Sequence, residues 1–200
     1  MKANWNNRYD SKEYQYGLEP NDFFKKQIQL LAAGRMLVPA AGEGRDAVFA
    51  AQLGWETHAF DSSDSAQGKA NKLAGERSVN LHYECIDAAS VRYPLESFDV
   101  IALVYFHQMP MERYKFHQQC IKWLKPGGKI ILEGFHKKQL GLASGGPKIL
   151  DMLFDKEELS LDFEGLRIES MEEKECILNE GPLHQGKAFV IDLVATKPIA

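Results

Sequence analysis

Met36-Leu37-Val38-Pro39-Ala40-Ala41-Gly42-Glu43-Gly44-Arg45-Asp46 runs from an apolar stretch through a loop of small residues into an amphipathic segment, residues 46–53. Gly42 and Gly44 can take dihedrals closed to other residues. Ala40 and Ala41 keep side-chain bulk out of the same turn, so that backbone can approach a ligand. Two glycines one residue apart would also serve a plain turn, and the loop alone does not decide between the two. Outward from it, residues 56–60, 80–84, 98–104 and 128–134 read, with 35–39, as short apolar strands. Residues 65–75 and 111–124 carry apolar side chains at helical spacing. Strict alternation of strand and helix predicts an α/β fold, a doubly wound and mostly parallel sheet with right-handed crossovers. After Gly134 the pattern changes: 156–161 reads as a short helix, and 166–178 and 187–197 read as strands joined through the Gly- and Pro-containing stretch 180–186. That junction suits a hairpin, so the sheet is expected to close with an antiparallel pair. With no repeat and no linker, 1–200 is expected to be one domain, a lead-in over 1–24 followed by a core over 25–200.

Composition narrows the partners. Hydrophobic residues make up 44% of the 200, enough for a sizeable core. The net charge of −4 is spread over interleaved signs, which offers phosphates no basic face; neither nucleic acid nor an anionic membrane is expected, and a small molecule is. Cys85, Cys120 and Cys176 are odd in number and widely spaced, so no disulfide framework, no zinc site and a reducing, cytoplasmic setting are expected. The opening residues carry no apolar targeting core, and no apolar run approaches the ~20 residues of a membrane span.

Acidic residues further along the chain give the loop its meaning. The second strand leads to Asp61-Ser62-Ser63, roughly 20 residues on, the separation expected of an acid that binds ribose hydroxyls. Capping the next helix is the bland role for Asp61, but Ser62, Ser63 or Asp64 could do that. The third strand leads to Asp87-Ala88, a carboxylate at the ligand-binding edge of an open sheet, placed to accept an adenine amino proton. A nicotinamide dinucleotide would need a third small residue where Arg45 stands, to admit a pyrophosphate. The loop therefore favours a nucleoside without pyrophosphate, and an oxidoreductase is the weaker reading.

Taken together these residues resemble the class I S-adenosylmethionine-dependent methyltransferases. Gly42-Glu43-Gly44-Arg45-Asp46 is similar to the family's first motif, Asp61 to its ribose acid, Asp87 to its adenine acid, Phe98-Asp99-Val100-Ile101 to its fourth strand, and Leu124-Lys125-Pro126-Gly127-Gly128 to its post-helix turn. Val38 and Ala40 depart from it, standing where the family usually has an acid and a glycine. Trp5-Asn6-Asn7-Arg8-Tyr9 and Tyr14-Gln15-Tyr16-Gly17 resemble the opening of the tellurite-resistance-like and thiopurine-methyltransferase-like branch. The resemblance implies a seven-stranded sheet with a reversed last strand and S-adenosylmethionine as cofactor. It also implies a small-molecule acceptor, such as a thiol, a chalcogen oxyanion or an aromatic metabolite, and an opening segment that folds over the cofactor as a lid. Cofactor contacts are then expected from Trp5, Tyr16, Ala40, Ala41, Gly42, Gly44, Arg45, Asp61, Ser62, Asp87, Ala88, Val104 and Tyr105.

Methyl transfer needs an in-line nucleophile and a dry site, and a base only if the acceptor must lose a proton. His107, directly after the fourth strand, is the candidate base, although a loop histidine bonded to backbone is the commoner role for such a residue. Phe106, Phe135, Gly145, Gly146 and His184 are candidates for the acceptor pocket. No metal site is expected, and the chain is expected to act as a monomer or homodimer. A non-catalytic S-adenosylmethionine sensor or assembly protein is the competing reading from another class.

Overall fold

The computed structural model describes residues 2–199. One seven-stranded sheet runs in the order β3-β2-β1-β4-β5-β7-β6, from β1 (Arg35–Pro39), β2 (Glu56–Asp61), β3 (His82–Cys85), β4 (Phe98–Val104), β5 (Leu124–Phe135), β6 (Arg167–Asn179) and β7 (Gln185–Thr196). Helices α1 (Lys2–Tyr9), α2 (Asp22–Ile28), α3 (Arg45–Gln52), α4 (Asp64–Glu76), α5 (Pro110–Trp123) and α6 (Lys156–Asp162) complete it. β1 pairs in parallel with β2 and β4, and β4 with β5; β7 runs antiparallel to both β5 and β6. The parallel sheet and its reversed last strand are as expected.

β1 reads as an unbroken apolar run because helices cover both faces of the central strands. Leu37, Ile101, Leu103, Ile130 and Leu132 pack with Phe116, Trp123, Leu159 and Phe163 on one side. Met36, Val38, Val100, Ala102 and Ile131 pack with Phe24, Ile28, Ala47 and Ala50 on the other. Every parallel strand ends at one edge, so the loops after β1, β2, β3, β4 and β5 meet there.

Three elements differ from the sequence reading. β5 begins at Leu124, directly from α5, and a register shift between Phe98 and Val100 of β4 absorbs the Pro126-Gly127-Gly128 stretch inside the strand. α1 and α2 stand where the sequence reads only as a polar lead-in. α2 is seven residues long and capped by Asn21, whose Oδ1 accepts from Phe24 N at 2.9 Å. Among the described side chains of α1 only Tyr9, 5% exposed, is deeply buried, and α2 is short, so neither helix shows as a period in the sequence.

Candidate active site

Asp61 ends β2 with its side chain buried, Oδ2 accepting from Gly42 N at 3.2 Å and Oδ1 from Ser63 N at 3.0 Å. Burial raises its pKa, and the backbone donors Ser63, Gly42 and Ser62 oppose the rise. Gly42 sits at φ 52°, and a Cβ there would lie 2.9 Å from Tyr9 Oη. Its carbonyl accepts from Tyr83 Oη at 2.7 Å. Gly44 is the N-cap of α3 at φ 90°, and a Cβ there would meet Ala70 of α4 at 2.6 Å, so this glycine also sets the approach of two helices. Ala40 takes φ 47° without being glycine, a conformation a side chain adopts at a cost. Asp87 Oδ1 accepts from Ala89 N at 2.9 Å in the turn after β3.

A roof lies over the loop. Glu43 Oε2 accepts from Gln15 N at 2.7 Å and Tyr16 N at 3.2 Å, while its Oε1 takes Lys69 Nζ at 2.7 Å. Arg45 donates to Tyr16 O at 2.9 Å and to Glu180 Oε2 at 3.1 Å. Leu183 N donates to Gln15 O at 3.1 Å. The opening segment is thus bolted at residues 15–16 to the glycine loop on one side and to the β6–β7 turn on the other.

Beneath this roof β4 ends in Tyr105 at φ 51°. A bulky residue in the left-handed region is uncommon, and such strain collects at functional sites. Its hydroxyl donates to Glu133 Oε1 at 2.7 Å, and Asn21 Nδ2 donates to the same oxygen at 2.6 Å. Glu133 lies opposite Asp192 across the β5–β7 ladder. Burial first, then Asp192, pushes the Glu133 carboxyl up to about 8, against its bonds to Tyr105 and Asn21. Asp192 Oδ2 is held by Lys174, and its buried Oδ1 has no partner unless Glu133 carries a proton and donates it. Burial and the neighbouring Asp192 thus favour the protonated form of Glu133.

The linkage has a definite sign. Unfolded, Glu133 ionises near the ordinary glutamate value; folded, it keeps its proton up to about 8. The native state holds the extra proton across that window, so stability falls as pH rises through it, by at most about 1.4 kcal/mol per pH unit. Glu133→Gln, which keeps a donor toward Asp192 and an acceptor for Tyr105, is expected to flatten this slope between pH 5 and 8 in urea unfolding. Equal slopes in the two proteins would show that Glu133 is already ionised.

Comparison with known proteins agrees with this arrangement. Residues 37–128 match the family model described as a methyltransferase domain. Over 112 residues the chain is 31% identical to 27-O-demethylrifamycin SV methyltransferase of Amycolatopsis mediterranei (strain S699), a stretch covering 54% of this chain and 41% of that protein. The chain thus spans less than half of that relative's length. A solved structure from work on conversion of a disulfide bond into a thioacetal group during echinomycin biosynthesis superposes with a TM-score of 0.79 at 18% identity, covering 99% of this chain and 92% of the other. The N-methyltransferase NodS from Bradyrhizobium japonicum WM9, in complex with S-adenosyl-L-homocysteine, superposes with a TM-score of 0.72 at 13% identity, covering 98% of each. Residues 37–128 are thus similar to a methyltransferase domain, and the chain as a whole shares its fold with these two solved structures.

The residues at this edge of the sheet fit S-adenosylmethionine, the cofactor that the sequence resemblance implies. Beside its backbone donors Gly42, Ser62 and Ser63, the Asp61 carboxylate keeps lone pairs that could serve ribose hydroxyls. The cradle at Gly42 is one that a Cβ would fill.

Of the other expected contacts, Ala41 N closes the β1 loop onto Phe60 O at 3.0 Å, and Ser62 O is approached by Cys85 Sγ at 3.6 Å. Val104 and Ala88 are half-buried on opposite faces of the sheet. Arg45 differs from expectation: both ends of its buried guanidinium are committed to Tyr16 and Glu180, so it holds the roof rather than a ligand. Trp5 stacks on the outside of Tyr9 at 5.7 Å, and Tyr9 is the ring that faces Gly42.

His107 also has another task. Its Nδ1 lies 2.8 Å from Met152 O and its Nε2 accepts from Phe135 N at 3.0 Å. A backbone donor and a backbone acceptor fix one neutral tautomer, and burial lowers its pKa to about 4. No nitrogen is left to take a proton from an acceptor. Phe106 turns away to pack on Phe116 at 5.1 Å in the core. Phe135, Gly145, Gly146 and His184 do come together: a Cβ on Gly146 would lie 2.9 Å from the Phe135 ring, and one on Gly145 would lie 2.8 Å from the His184 ring. From the sequence, Glu133 and Glu180 are candidates only as members of the acceptor-side segments 133–135 and 180–184, and Tyr9 and Glu43 only as members of the opening segment and the glycine loop. The Glu43-Gly44 step signalled only the loop, and Glu133 and Glu180 lie in strand-end patterns that carry no motif. Among the described residues no helix is long and apolar enough to cross a membrane, and no cluster could hold a metal.

Proposed function

We propose that this protein transfers the methyl group of S-adenosylmethionine to a small-molecule acceptor held between Tyr16, Tyr105, Phe135 and the 145–146 loop, with 1–200 acting as one catalytic domain. The observation that carries the reading is the buried Asp61 carboxylate, clamped to Gly42 N at the ligand-binding edge of the sheet. When bound, S-adenosylmethionine supplies a methyl carbon activated by its sulfonium. The chain's own residues bind and orient: Gly42, Gly44 and Ala40 let backbone approach, Asp61 holds the ribose, and Ser62, Asp87 and Ala88 border the adenine. Tyr9 and Tyr16 exclude water, which speeds a displacement at carbon. The aromatic roof supports the tellurite-resistance-like branch, and the relative named for 27-O-demethylrifamycin SV supports a small acceptor. With residues 15–16 bolted in place, α1 is the part of the opening segment free to act as a lid.

Titration calorimetry tests the assignment. The wild type should bind both S-adenosylmethionine and S-adenosylhomocysteine, and Asp61→Ala should weaken both by about 1.5–3 kcal/mol, since a charged acceptor is lost. A folded Asp61→Ala protein with wild-type affinity would refute the ribose assignment.

A further inference from the structure

The β6–β7 turn holds a buried acid–imidazole pair that faces the acceptor side of the cleft. His184, 5% exposed, has Tyr16 and Tyr105 edge-on at 4.6 Å each and Phe135 at 5.3 Å. Its Nδ1 lies 3.1 Å from Glu180 Oε2, an oxygen that also takes Arg45 Nη2 at 3.1 Å, while Glu180 Oε1 takes Asn21 Nδ2 at 3.0 Å. Burial would raise Glu180, but His184 and Arg45 outweigh it and hold the carboxyl at about 2. An ionised acid beside Nδ1 keeps the imidazole proton on that nitrogen. The Nε2 lone pair is then an acceptor, and it has no hydrogen-bond partner among the described residues; it lies beside the glycine loop, where a Cβ on Gly145 would be 3.2 Å away. This is the arrangement His107 lacks.

We propose that His184, oriented by Glu180, is the general base of the acceptor site, and that the acceptor is a neutral aromatic alcohol. The proposal rests on the methyltransferase reading above and names its substrate class. The proton leaves the hydroxyl for His184 Nε2, the imidazolium is balanced by Glu180, and the oxygen lone pair so freed is the nucleophile; the proton later passes to solvent. Three rings supply a stacking surface for an aromatic body. Charge argues against an oxyanion. Arg45 is paired with Asp46 and Glu180, and Lys174 with Asp192 and Glu133. Arg8 is exposed, its guanidinium spent on Tyr16 Oη and the Trp5 ring. An anion entering the cleft would meet the Glu180 charge, and none of these cations is uncommitted to offset it.

The test uses the full chain with S-adenosylhomocysteine bound and para-nitrophenol as probe, since its phenolate absorbs in the visible while the phenol does not. Wild type, His184→Gln and Glu180→Gln are first compared for S-adenosylhomocysteine affinity, which should be equal in wild type and His184→Gln and so reports an intact cleft. Below the ionisation range of the free phenol, bound probe should appear as phenolate in the wild type. Its yield should be roughly tenfold lower in His184→Gln, a shift of one pKa unit, and intermediate in Glu180→Gln. Selenite should not displace the probe. Phenolate yield unchanged in His184→Gln, absence of para-nitrophenol binding, or displacement by selenite overturns the proposal while the methyltransferase reading stands. Failure of the wild type to bind S-adenosylhomocysteine overturns both.

Discussion

Gly42→Val is expected to reduce S-adenosylmethionine affinity by about a hundredfold or more, roughly 3 kcal/mol. The position has φ 52°, which a β-branched residue adopts only under strain of roughly 1–3 kcal/mol. The new side chain would also press on Tyr9, whose hydroxyl lies 2.9 Å from the Cβ site. If the backbone relaxes to relieve the strain, Gly42 N leaves Asp61 and Gly42 O leaves Tyr83. Each way out disturbs the ribose acid or the ring that closes the cleft. Calorimetry with S-adenosylhomocysteine, alongside a thermal melt to confirm folding, checks the result. A folded variant with parental affinity would mean that the loop is a plain turn and that the cofactor binds elsewhere.

The largest effect on stability is expected from Asp162→Ala, about 3–5 kcal/mol. Asp162 closes α6 against α5, its Oδ2 accepting from Arg113 Nε at 2.7 Å and lying 2.9 Å from His117 Nδ1. Arg113, His117 and Asp162 are all 3% exposed or less. Removing the carboxylate leaves a buried guanidinium whose remaining acid, Glu158, lies 3.3 Å away at the rim. Burial already lowers the His117 pKa, and loss of the acid removes what opposes that. Replacing the pair together, Arg113→Met with Asp162→Leu, should recover much of the loss, because no unpaired charge stays inside. Urea unfolding of the three proteins measures this; a single mutant within about 1 kcal/mol of wild type would show that water reaches the site.

Most of the fold was legible because its signals are local. β1 and β4 carry the expected bounds, since a strand covered on both faces must be apolar at nearly every position, and the loop after β1 shows in its small residues, which gain their meaning from the acids that follow. Asp61 was legible for the same reason: the end of the next parallel strand lies at the same edge of the sheet, about 20 residues on. α1 and α2 were not, because each is short and buries few side chains, and it is the partner surface that makes them helices.

The acceptor side was legible only as a set of loops. His107 and His184 are both loop histidines at the cleft, and no pattern within the chain separates them. What separates them is which atoms lie beside their nitrogens: Met152 O and Phe135 N for one, Glu180 and an unbonded Nε2 for the other. Likewise Arg45 stood in the loop as a departure from a small residue, and only the approach of Glu180, 135 positions away in the chain, turns it into the bolt of the roof. The amino-acid sequence by itself determined the doubly wound sheet, the edge at which its strand-end loops gather and the place of Asp61 at that edge, since period and spacing along the chain are enough for these. The tertiary structure decided which imidazole is free, which carboxyl keeps its proton and which ring covers the loop, because protonation and access depend on neighbours that folding brings together from distant parts of the chain.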